Sequence, residues 1–153
     1  MTAGSATSGL TAIEETFATV PLLERLSPRQ RGRLARRATT RSYRAGTVIV
    51  REGDTAMAFY VVLSGRVRVE RGSGRSAVPV RDLDHAGFFG EMGLIDDLPR
   101  SATVVASEPT ECALLAKWDF QLELREDPDI ALSLLPVLTQ RIRELERPSA
   151  PQA

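Results

Sequence analysis

Between Thr39 and Ala116 the chain is cut into short β-branched segments by glycines and polar turn residues. That punctuation limits the fold more than any other feature. The segments cover residues 39–43, 47–50, 58–64, 66–71, 77–83, 102–106 and 111–116. Several alternate at period two: Arg66-Val67-Arg68-Val69-Glu70 sends both valines to one face and its charges to the other. Ser64-Gly65 and Gly72-Ser73-Gly74 supply turns between them. Short strands at that spacing fit an antiparallel sandwich or roll and not a parallel sheet.

Helical texture flanks this block. Leu10, Ile13, Phe17 and Val20 predict a short helix over 10–20, whereas residues 1–9 are small, polar and aperiodic and read as disordered. Ser27-Pro28-Arg29-Gln30 is a helix start: Ser27 caps, Pro28 suits the first helical position and Gln30 completes a capping box. That helix should run to about Ala38. After Lys117 one helix is expected from Trp118, taken as its core anchor, to about Glu126. Asp127-Pro128-Asp129 opens another, with a cap, a first-turn proline and an acid at the positive end of the helix dipole. It runs to about Glu146 and carries Pro136 inside it. Leu135, Leu138, Ile142 and Leu145 form a short heptad seam, open either to a weak homodimer or to packing on the roll. The organisation expected is one domain over 10–146 with a flexible tail over 147–153.

Composition removes several function classes. A chain of 153 residues can bury a core without staples. A single cysteine, Cys112, allows no internal disulfide and reads as a small core residue. A single histidine, His85, set in a turn, leaves no paired-histidine metal centre and argues against a metal-dependent jelly-roll enzyme. The Asp96-Asp97 pair reads as a solvated loop and not as catalytic carboxylates. No apolar run reaches the roughly 20 residues of a membrane span, and the N-terminus does not read as a signal peptide. A non-enzymatic, cytoplasmic protein is the expectation. Zero net charge hides an asymmetry: residues 1–80 hold 13 Arg against 6 acids, residues 81–153 hold 7 Lys and Arg against 14 acids. The basic cluster over Arg29–Arg44 reads first as a solvated helix face.

The chemistry is concentrated in residues 88–104. Gly90 and Gly93 flank a segment short enough for one helical turn, whose first backbone N–H groups could meet an anion. Arg100 brings a planar fork suited to phosphate, Ser101 a hydroxyl beside it, and Glu91 an acceptor for sugar hydroxyls. A small anion carrying a ribose satisfies all three. The other reading of the same residues is a Glu91–Arg100 salt bridge above a glycine turn.

Gly90-Glu91-Met92-Gly93-Leu94 followed by Pro99-Arg100-Ser101-Ala102-Thr103 resembles the phosphate-binding cassette of cyclic nucleotide-binding domains, such as those of the catabolite gene activator protein and protein kinase A regulatory subunits. The resemblance covers roughly residues 18–146. It includes Gly46-Thr47-Val48-Ile49, Glu52-Gly53-Asp54, Phe59-Tyr60-Val61-Val62 and Ser64-Gly65-Arg66-Val67. It implies an eight-stranded antiparallel jelly-roll-like β-roll with N-terminal helices and two C-terminal helices. It also implies that Glu91 accepts from the ribose 2′-hydroxyl and Arg100 pairs with the cyclic phosphate. Backbone amides near Met92 and Gly93, with Ser101, complete the cradle. Val69, Val80 and Leu83 form an apolar wall beside the base, Thr103 lies near it, and Arg141 approaches Glu91 from the last helix. Ser101 tilts the expectation toward cAMP over cGMP, since many cGMP-selective members carry Thr there.

Two departures qualify that picture. Leu145 and Glu146 stand where the bacterial activator caps adenine with hydroxyl residues, and the seven residues after Glu146 leave no room for a helix-turn-helix domain. The expected function is a stand-alone regulatory module that binds a cyclic nucleotide, with no other cofactor, and signals through its C-terminal helix to a protein effector. The alternative is a protein-interaction module on the same fold with nucleotide binding weak or lost.

Overall fold

In the computed structural model, which describes residues 3–72 and 74–148 with side chains from residue 9 onward, eight strands form two four-stranded antiparallel sheets. They are β1 (Thr39–Tyr43), β2 (Val48–Val50), β3 (Ala58–Ser64), β4 (Val67–Arg71), β5 (Val78–Leu83), β6 (Phe88–Phe89), β7 (Thr103–Ala106) and β8 (Thr110–Ala116). One sheet runs β1-β8-β3-β6 and the other β2-β7-β4-β5. The helices are α1 (Ala3–Thr19), α2 (Pro28–Arg37), α3 (Lys117–Glu126) and α4 (Pro128–Glu146). This is the β-roll with helices at both ends that the cassette implied.

Period two explains why β3 is buried on both faces. Phe59 and Val61 point to the helices with Ala113 and Leu115 of β8. Ala58, Tyr60 and Val62 point between the sheets with Cys112, Val67, Val69 and Val104. Phe17, Leu34, Phe120, Ile130 and Leu134 close the helix side of the core. Burying side chains the size of Phe59 or Leu115 contributes about 1.5–3 kcal/mol each. The inter-sheet side is the one that opens at the cassette, so β3 carries the site on the back of the core.

α1 starts at Ala3, well before the expected Leu10. Once Ile13, Phe17 and Val20 anchor the helix in the core, each residue added N-terminally gains a backbone bond without a second nucleation cost. Met1 and Thr2 of the segment read as disordered, and most of the expected tail (149–153), lie outside the described residues. The Ser27–Gln30 capping box forms as expected, with Gln30 N–H donating to Ser27 Oγ at 3.1 Å and Ser27 N–H to Gln30 Oε1 at 2.9 Å.

Trp118 corrects an expectation. It is 60% exposed, and Phe120 is the buried anchor of α3 instead. Two residues along a helix turn the side chain about 200°, so only one of the pair can face the core. The seam on α4 is also divided. Leu138 packs against the core, while Leu135, Ile142 and Leu145 are exposed.

The charge asymmetry resolves between α2 and α3. Glu123, 4% exposed, accepts from Arg33 Nε at 3.2 Å and Arg37 Nε at 2.7 Å. Asp127 accepts from Arg33 and, at 3.1 Å, from Gln30. Part of the basic cluster is thus an internal clasp holding α2 to the α3–α4 junction, not a solvated face.

Candidate functional site

Arg100 is placed by backbone before its side chain does anything. Gly53 N–H donates to the Arg100 carbonyl at 2.9 Å, and Arg100 N–H donates to the Asp54 carbonyl at 2.8 Å. Thr55 and Pro99 add a bridge beside this clasp. The turn requires φ +88° at Gly53, a conformation glycine adopts without strain. The Glu52-Gly53-Asp54 signature therefore acts on the site through the main chain.

The Arg100 side chain is 9% exposed. Nη2 donates to the Ala58 carbonyl at 2.7 Å. Its Cζ lies 5.7 Å from the Tyr60 ring centroid, within cation–π range, and Tyr60 is stacked on Phe89 at 4.8 Å. Nη1 is buried and has no hydrogen-bond partner among the described residues. Burial holds the guanidinium below the usual arginine range, offset in part by Tyr60, yet arginine stays protonated in proteins. A buried cationic donor left unpaired costs free energy, and an anion at Nη1 would remove that cost.

The glycines make room for it. Gly90 has φ +81°, and a Cβ there would run into Arg100 Nη1. A Cβ on Gly93 would lie 2.5 Å from that of Ala56. Between them Glu91–Leu94 forms a 3-10 turn, pinned by the buried Leu94. The Gly93 N–H is already bonded to the Gly90 carbonyl at 3.2 Å. Glu91 pairs with Arg141, Nη1 to Oε1 3.5 Å, and no Glu91–Arg100 ion pair forms among the described residues. The salt-bridge reading of the cassette is thereby removed.

A cavity of about 280 Å³ joins these groups. Of the expected site residues, Gly90, Glu91, Met92, Gly93, Arg100, Ser101, Ala102 and Val69 line it. Val80, Leu83, Thr103 and Arg141 do not. On β5 Val67 faces Leu83 and Val69 faces Arg81, so period two puts Arg81 on the cavity face and Val80 on the other; Val80 is also the unpaired residue of a bulge, since Glu70 faces Pro79. Val80 is 50% exposed. Leu83 faces Val67 and packs deeper between the sheets. Thr103 Oγ1 accepts from Glu52 N–H at 2.9 Å. Arg141 reaches the site only through Glu91 and the Met92 sulfur, 3.6 Å away. Arg81, which the sequence reading passed over, lines the cavity with a donor-only guanidinium, and Val50, Leu98 and Val104 extend its apolar wall.

Residues 40–127 match the family model of the cyclic nucleotide-binding domain. The chain belongs to the cyclic nucleotide-binding domain family. A cAMP-dependent protein kinase regulatory subunit from Colletotrichum orbiculare is 36% identical over 108 residues, covering 71% of this chain and 27% of the relative. The curated relatives it matches are thus about four times longer than the matched region. Among solved structures, the N-terminal domain of a transcriptional regulator from Streptomyces coelicolor A3(2) has TM-score 0.78 at 28% identity, covering 85% of this chain and 92% of that one. The regulatory domain of Toxoplasma gondii PKA, solved with cAMP, has TM-score 0.73 at 25% identity, covering 92% and 52%. Within this cyclic nucleotide-binding domain, Arg100 and the Gly90–Gly93 turn sit in the matched segment, whereas Arg141 lies beyond it. No helix among the described residues is long and apolar enough to cross a membrane.

Proposed function

We propose that this domain is a non-catalytic cytoplasmic regulatory module that holds a cyclic nucleotide in the Arg100 cavity. The observation that carries the reading is the buried, unpaired Arg100 Nη1 above Gly90. A cyclic phosphate oxygen accepts from Nη1, while Nη2 keeps the Ala58 carbonyl. Ser101 and the cassette backbone complete the cradle, and Glu91 accepts from the ribose hydroxyl.

Occupancy reaches α4 through Glu91. The ribose hydroxyl and Arg141 share one carboxylate, so ligand changes how firmly α4 is held. It does so only by its differential affinity for the two arrangements. The exposed Leu135, Ile142 and Leu145 then form the surface read by an effector or by a second copy in a weak dimer.

Ser101 favours cAMP. A second reading, cGMP, is favoured by Arg81: on its N7 edge guanine presents two acceptors, O6 and N7, to a donor-only guanidinium, where the same edge of adenine presents one acceptor beside an amino donor. Calorimetric titration with cAMP and cGMP tests both. Binding of either supports the module, their ratio selects the base, and no heat with either leaves a protein-interaction role on this fold.

A further inference from the structure

A second cavity of about 330 Å³, bordered by Tyr60, opens where β1, β3, β8 and the start of α3 meet. Its floor is apolar, formed by Ala58, Tyr60, Leu114 and Ala116. Its rim carries Met57 and Trp118, 49% and 60% exposed. Large side chains of these two types left in water at a cavity mouth are suited to covering an apolar body.

The charges are unbalanced. Arg37 and Asp119 both line the cavity but pair with each other at 3.7 Å. Arg41 of β1 is the remaining charge; among the described residues it makes no ion pair and hydrogen-bonds only the neutral Tyr43 side chain. A guanidinium at the edge of an apolar hollow matches a carboxylate on an apolar body, since the fork takes both oxygens. The volume is at the lower end of small-molecule sites.

We propose that this cavity is a second ligand site, taking a small apolar carboxylate whose body packs on Tyr60, Leu114 and Trp118 and whose charge meets Arg41. The site is wired to the first through its floor. The Ala58 carbonyl accepts from Arg100 Nη2, and the Tyr60 ring supports the Arg100 guanidinium. A ligand packed against Tyr60 and Ala58 therefore alters the seat of Arg100 and changes nucleotide affinity. That coupling, unlike the site itself, rests on the nucleotide reading above.

Octanoate is the probe and octanol its uncharged counterpart. Trp118 is the only tryptophan in the chain, so its emission reports the cavity without any nucleotide. Octanoate should give a saturable blue shift as the ring leaves water. Octanol on the wild type, and octanoate on Arg41→Gln, should bind roughly tenfold or more weakly, as loss of a charged hydrogen bond implies. Arg41 is exposed, and an unchanged melting temperature confirms that the variant folds. No saturable shift, or equal response to octanol or by Arg41→Gln, overturns the site. Calorimetry with cAMP at saturating octanoate then reads the coupling. A changed affinity in wild type but not in Arg41→Gln supports it. Octanoate binding with unchanged cAMP affinity overturns the coupling and leaves the second site standing.

Discussion

Glu91 in the cassette and Arg141 on the last helix are partners at 3.5 Å, with Glu91 mostly buried and Arg141 about one-third exposed. The contact spans 50 positions of sequence and ties the proposed ribose acceptor to α4. A pair this long with one partner still reaching solvent contributes little to stability, about 0–1 kcal/mol. Its weight lies in coupling. Arg141→Ala should leave the melting temperature nearly unchanged. Hydrogen exchange should show cAMP altering α4 protection in wild type and failing to do so in the variant.

Gly90 should tolerate no side chain. Its φ is +81°, and an added Cβ would collide with Arg100 Nη1. Backbone strain of this kind costs about 1–3 kcal/mol before the collision is counted. Gly90→Ala should shift the urea midpoint downward and weaken cyclic nucleotide binding. A comparable substitution at Gly46, which has φ +85° but open space around it, should cost only the strain and spare the site.

Cys112 is fully buried between the sheets, and burial pushes its thiol up to about 12. Since the thiolate is the reactive form, a thiol reagent at neutral pH should label the native protein very slowly. Labelling should follow unfolding in urea. Fast labelling of the folded domain would place the cysteine elsewhere.

Asp127 should make the domain acid-sensitive. Gln30 and then Arg33 hold its carboxyl below the usual carboxylate range. A depressed folded value means the stabilisation is complete above the unfolded value, near ~3.9, and is lost as pH falls through the folded one. Asp127→Asn should flatten the dependence of urea stability on pH in the acid range. It should leave the neutral-to-alkaline slope alone.

Much of this architecture was legible in residues alone. Turn residues bounding β-branched segments marked seven of the eight strands nearly to their ends, and alternation is plainest where one face is buried, as in β4 and β7. β6, with only Phe88 and Phe89, is too short to show a period and entered through the family resemblance. The cassette was legible through its resemblance to the family, since the residues alone left a Glu91–Arg100 salt bridge above a glycine turn equally open. What failed has common causes. On β5 Arg81 shares a face with Leu83 opposite Val69 and Val67, so an arginine lines the cavity and Val80 faces away from it. Trp118 and Phe120 stand two positions apart on α3, and the phase that buries Phe120 leaves the expected anchor Trp118 in solvent. The pairing of Arg33 and Arg37 with Glu123 spans about 90 residues, and no local pattern announces it.

The most direct measurement is a calorimetric titration of wild type and Arg100→Ala with whichever cyclic nucleotide the wild type binds. Loss of one charged hydrogen bond of about 1.5–3 kcal/mol should weaken binding roughly tenfold to 150-fold, with the variant still folded by circular dichroism. Equal affinity in the two proteins would mean that the phosphate does not rest on the buried guanidinium, and the account of this site would be wrong.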